Sequence, residues 1–169
     1  MLSKKLLEEL NLQIKYELES AHYYLAMQAY FDTTGLLGFA NFFKVQQQEE
    51  KFHADRFYGF VYSMDGDVEL TSLDLVGKSF TSPLDVFEKA LAHEKFVTGR
   101  IYYLMNIAME EKEYATQSVL KWFIDEQVEE ETSMKEKIVM LKRIKDDANA
   151  LYTMDSLLAT RVFTPPVMV

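Results

Sequence analysis

Apolar residues recur three and four positions apart through four long stretches of the chain, the spacing of a helix that buries one face. The first predicted helix spans about 3–32, opening at Ser3, a residue suited to an N-cap, and closing at the turn Thr33-Thr34-Gly35. The second spans about 36–64 and stops at Asp65-Gly66-Asp67. The third spans about 83–111, where Ser82 can cap and Pro83 fits the first helical position. The fourth spans about 114–146, with no Gly or Pro marking the break before it. A short fifth helix is expected over about 149–161, ended by Thr164-Pro165-Pro166. Tight turns imply antiparallel neighbours. The stretch from Asp65 to Ser82, at up to ~3.3 Å per residue, can run the length of a helix of roughly 40 Å, which permits the second and third helices to lie parallel. The pattern predicts one all-α domain over residues 1–169: a four-helix bundle with one long crossover connection and a short fifth C-terminal helix.

The buried stripes carry polar residues where a core should be. On the first helix the stripe is Leu10, Ile14, Glu17, Ala21, Tyr24, Gln28 and Phe31. On the second it runs through Phe43, Gln46, Glu50, His53, Phe57 and Phe60. On the third it includes Phe87, Ala90, Glu94, Val97 and Ile101, and on the fourth Leu120, Phe123, Gln127, Glu130, Met134 and Ile138. Each stripe is apolar at both ends and acidic in the middle. Glu17 and Glu50 lie at similar distances from the turn between their helices, as do Glu94 and Glu130 from theirs, so antiparallel pairing sets them side by side. Four carboxylates in a small dry volume need cations, and two divalent metals would supply them. Glu50 and His53, three apart on one helix face, can both reach one metal. Carboxylate oxygen with imidazole nitrogen suits iron or manganese, with zinc as competitor.

Composition narrows the field. The net charge of −9 leaves no basic stripe for nucleic acid and suits attraction of cations. With no cysteine, disulfides, Cys-ligated zinc and iron–sulfur clusters are excluded. No apolar run approaches a membrane span, and the start Met1-Leu2-Ser3-Lys4-Lys5 leads into an amphipathic stretch, so a cytoplasmic protein with no membrane partner is expected.

Taken along the whole chain, these residues resemble the non-haem ferritins of bacteria and archaea, within the ferritin-like di-iron bundles. Glu17 and Glu94 match that family's single acids, and Glu50-Lys51-Phe52-His53 matches one Glu-x-x-His motif; the fourth helix departs, offering Gln127-Val128-Glu129-Glu130 in place of a second. The resemblance implies a first iron held by Glu17, Glu50 and His53, and a second by Glu50, Glu94 and Glu130 with Gln127 beside it. It implies a third iron site at Glu49, Glu126 and Glu129, for which the bland alternative is a solvated acidic face. Tyr24 matches the family's tyrosine near the di-iron site, able to hydrogen-bond a ligand or donate an electron. Phe52 stands where a haem-binding methionine is expected in bacterioferritins, which argues against haem. Trp122 reads as packing, and His22 and His93, off the stripes, read as surface residues.

The implied function is iron storage: a ferroxidase oxidising Fe(II) with O2 or H2O2 and depositing ferric oxyhydroxide inside a homo-oligomeric shell of 24 subunits. Two readings from other classes stand beside it, a di-iron oxidase or peroxidase without mineral storage, and a metal-free helical interaction module.

Overall fold

Side-chain caps set four of the five helix starts. In the computed structural model, which describes residues 2–74 and 79–166, the helices are α1 (Lys4–Thr34), α2 (Leu37–Ser63), α3 (Pro83–Glu110), α4 (Tyr114–Ile144) and α5 (Ala148–Leu158), with no strand among the described residues. The Ser3 hydroxyl accepts from the Leu6 N–H at 3.1 Å, and Ser82 accepts from Asp85 at 3.1 Å, so both caps are side-chain caps. Residues Thr33 and Thr34 extend α1 where a turn was expected. Gly35 alone makes the turn, at φ 76°, and the Leu36 N–H reaches back to the Phe31 carbonyl at 3.1 Å. Between α3 and α4 the turn needs no glycine because Lys112 adopts a left-handed φ of 55°, and Glu113 then accepts from the Thr116 N–H at 2.6 Å. Helix α5 stops at Leu158, short of the expected end near Arg161, and the chain turns back toward α2.

Pairs of contacts fix the helix directions. Phe31 stacks on Phe39 at 5.1 Å, while Glu17 faces His53 further along, so α1 and α2 are antiparallel. Glu9 binds Arg100 at 2.7 Å and Tyr24 meets Glu94, so α1 and α3 are antiparallel as well. It follows that α2 and α3 run parallel, and the connection between them is a crossover along the bundle. Asn11 holds its first part, donating to the Asp67 carbonyl and accepting from the Glu69 N–H, both at 2.9 Å. Residues 75–78 of that connection lie outside the described ones.

The core is divided in two. One apolar cluster gathers Tyr24, Phe31, Phe39, Phe43, Phe87, Met134 and Ile138. The other gathers Leu6, Leu10, Ile14, Phe57, Ile101, Leu104, Leu120 and Phe123, with Phe57 and Phe123 stacked at 4.0 Å. Each fully buried large side chain stabilises the fold by roughly 2–3 kcal/mol. Between the clusters lies a buried polar layer. Helix α5 packs on α2, where the Asp155 carboxylate accepts the Gly38 and Phe39 N–H groups at 2.8 and 3.0 Å. Only glycine fits at position 38, since a Cβ there would stand 1.7 Å from the Asp155 carbonyl oxygen. Among the described residues no helix is long and apolar enough to cross a membrane.

Candidate metal centre

Helical spacing delivers one layer of polar side chains to mid-bundle: Glu17 from α1, Glu50 and His53 from α2, Glu94 from α3, and Gln127 and Glu130 from α4, all buried. His53 Nδ1 lies 3.5 Å from a Glu50 oxygen and 3.9 Å from Glu17 Oε2. The three residues form, among the described residues, the one group of three or more His, Cys, Asp or Glu whose candidate ligand atoms all lie within 4.8 Å of one another. Glu17 Oε1 accepts from Gln13 Nε2 at 2.8 Å, whereas Glu17 Oε2 is buried without a hydrogen-bond partner. A buried carboxylate oxygen left unpaired is costly, and a metal between Glu17, Glu50 and His53 would satisfy it. The donor set fits a first-row divalent ion.

The other half of the layer is hydrogen-bonded differently. Tyr24 donates its hydroxyl to Glu94 Oε1, and Gln127 Nε2 donates to Glu94 Oε2 at 3.1 Å. Gln46 Nε2 donates to Glu130 Oε2 at 2.8 Å. Glu94 and Glu130 therefore share the buried layer but do not join the tight group around His53.

Burial dominates the electrostatics. It pushes the Glu17 carboxyl up to about 7, against the hydrogen bond from Gln13, and the Glu94 carboxyl up to about 8, with the Glu130 charge raising both further. Glu50 is held well above the usual carboxylate range by burial and by Glu94, Glu17 and Glu130. Burial raises Glu130 as well and lifts the Tyr24 hydroxyl well above its ordinary value. His53 is lowered to about 4 by burial, helped by the Arg56 charge, so its imidazole is neutral at physiological pH and free to offer a lone pair.

The remaining acids lie to one side. Glu49 is half-buried and bound by Arg161 at 2.7 Å; Glu126 is half-buried and Glu129 exposed. Burial raises Glu49 and Glu126 to about 7, and their ligand atoms and those of Glu129 do not gather at metal spacing. Phe52 packs edge-on against Trp122 at 6.2 Å and Phe163 at 6.3 Å. Trp122 lies against His53 at 5.6 Å and carries Arg56 over its ring at 4.0 Å. His22 is exposed. His93 corrects the surface expectation: it is half-buried, 2.7 Å from Ser20 Oγ and edge-on to Tyr24.

Three residues that position the site were given no role by the sequence. Gln13 orients Glu17 from one helical turn away, a relation visible as Gln-x-x-x-Glu. Gln46 lies on the stripe, yet its partner is on α4, and Arg161 returns from beyond α5. No local pattern announces those two contacts.

Residues 7–144 match the Ferritin-like domain family. The chain is 45% identical to the bacterial non-heme ferritin of Staphylococcus aureus (strain MRSA252) over 163 residues, 96% of this chain and 98% of that protein. The same identity and coverage hold for the bacterial non-heme ferritin of Staphylococcus haemolyticus (strain JCSC1435). Among solved structures it is similar to a closed form of the Archaeoglobus fulgidus ferritin made by site-directed mutagenesis, at TM-score 0.95 and 43% identity over 97% of this chain and 100% of that one. It is also similar to the open pore ferritin of that archaeon, at TM-score 0.94 and 42% identity over 96% of this chain and 100% of that one.

Proposed function

We propose, for a chain that belongs to the ferritin family, that the buried carboxylate layer is a ferroxidase centre serving iron storage. The substrate is Fe(II). One ion binds between Glu17, Glu50 and His53; the second shares Glu50 and is completed by Glu94 and Glu130. Gln127, already donating to Glu94, orients that carboxylate and is at most a weak ligand. The two Fe(II) give up one electron each, reducing O2 with two protons to H2O2, or H2O2 with two protons to two waters, and the protein fixes geometry while keeping other reductants out of a dry site. Tyr24, hydrogen-bonded to Glu94, is placed to lend an electron. Glu49, Glu126 and Glu129 hold a third iron beside the centre, on the side toward the storage cavity. Ferric oxyhydroxide then accumulates inside a shell of 24 chains in the cytoplasm, without haem, nucleic acid or membrane.

The observation that carries this reading is the unpaired Glu17 Oε2 beside Glu50 and His53, with candidate ligand atoms within 4.8 Å. An isolated buried acid is neutralised by a proton or a base, but this cluster offers an imidazole and an open carboxylate oxygen to one point. Electron microscopy of protein loaded aerobically with excess Fe(II), together with its native mass, tests storage. Dense cores inside particles of 24 chains are expected. A small oligomer that turns over Fe(II) without cores supports a di-iron oxidase instead, and absence of tight iron binding supports a helical interaction module.

A further inference from the structure

A cation from beyond α5 reaches the layer. Beyond α5 the chain folds back on α2, and Asn41 Nδ2 holds it by donating to the carbonyls of Leu158, Ala159 and Arg161, the last at 2.9 Å. The Arg161 guanidinium lies over the Phe42 ring at 4.4 Å and uses its two arms separately. Nη2 donates to Glu49 Oε2 at 2.7 Å; Nη1 donates to Gln46 Oε1 and to the Phe42 carbonyl at 3.3 Å. Gln46 in turn donates through its amide nitrogen to Glu130 at 2.8 Å. One arginine thus neutralises Glu49 and, through a single glutamine, orients Glu130.

We propose that Arg161 is a resident counter-cation on the Glu49 side of the centre: its guanidinium competes with metal for the Glu49 carboxylate and, through Gln46, positions Glu130. A metal ion binds at Glu49 only as Arg161 leaves. This deepens the ferroxidase reading, on which Glu49 and Glu130 are metal ligands. The forked guanidinium suits the role, because it satisfies a carboxylate and an amide carbonyl together, which a lysine ammonium cannot do in the same geometry. Departure of Arg161 also releases Gln46, so occupation of Glu49 and freedom of Glu130 are linked. Metal transfer toward Glu49 and rearrangement at Glu130 become one event.

The test is calorimetric titration of Zn(II) into metal-free protein, comparing wild type, Arg161→Gln, Arg161→Lys, and Arg161→Gln combined with Glu49→Gln. Removing the guanidinium is expected to tighten the weakest specific metal site at least about tenfold. Arg161→Lys returns most of the way to wild type, because an ammonium still neutralises Glu49. The gain disappears in the double variant. Asn41→Ala, which loosens the segment carrying Arg161 while keeping its charge, gives a smaller gain and replaces Arg161→Gln if that variant fails to fold. Unchanged affinity on freeing or removing Arg161, or a gain that persists without Glu49, overturns the proposal. Failure of the ferroxidase reading looks different: wild type itself lacks two tight sites, while the comparison at Glu49 still decides the role of Arg161.

Discussion

Binding of metal to the layer should expel protons, and their number follows from the carboxyls that burial holds protonated. At pH 6 Glu17, with its carboxyl near 7, is about nine-tenths protonated and Glu94, near 8, almost fully so, while burial and its acidic neighbours hold Glu50 above the usual carboxylate range. Two divalent ions ligated by these carboxylates therefore displace roughly two protons per chain from Glu17 and Glu94 at pH 6, and Glu50 adds to them. At pH 8 Glu17 has already ionised and Glu94 is about half ionised, so the contribution of these two falls to roughly half a proton. His53, lowered to about 4, is already deprotonated and adds nothing at either pH. Zn(II) isolates binding from oxidation because it has no redox chemistry. Titrations in buffers of different ionisation enthalpy yield the released protons as the slope of observed enthalpy against buffer enthalpy. Release of fewer than about one proton at pH 6, or a count that does not fall toward pH 8, refutes the reasoning: the carboxylates would be ionised without metal, or would not be the ligands.

Glu17→Gln should stabilise the metal-free protein at pH 8 and leave it nearly unchanged near pH 4.5. Burial raises the folded carboxyl from 4.5 to about 7, so stability present below 4.5 is lost as pH rises through 7, on the order of 3 kcal/mol, read by urea denaturation at both pH values. Crystals soaked without oxygen in limiting Fe(II) should fill the position beside His53 before the one beside Glu130, because imidazole binds first-row metals more firmly than the amide of Gln127; equal filling at every level contradicts this. Glu126→Ala combined with Glu129→Ala should leave oxidation of the first two irons fast but change the rate or oxygen consumption of later additions. Identical behaviour throughout reduces these residues to a solvated acidic face.

The helical period made the buried polar layer legible. Glu17, Glu50, His53, Glu94, Gln127 and Glu130 occupy core positions of their helices, and a buried acid repeated at matching heights has few explanations besides metal. Helix ends were harder where the backbone ignored the usual signals. Lys112 takes a left-handed turn that a glycine would have advertised, and α5 ends at Leu158, with Arg161 beyond it bound to Glu49 and Gln46. His93 was misread because periodicity tells only which face a residue occupies, and its face meets Ser20 and Tyr23 of α1 as well as solvent. The contacts of Arg161 join positions more than a hundred apart, and no period or spacing carries that information.

The central claim, that Glu50 is shared by two iron sites and makes the layer a ferroxidase, is tested most directly by adding two Fe(II) per chain aerobically to wild type and to Glu50→Ala and following ferric absorbance by stopped flow. Wild type should oxidise both irons rapidly, and Glu50→Ala should be slower by at least about a hundredfold with its helical circular dichroism intact. Equal rates in the two proteins would contradict the account.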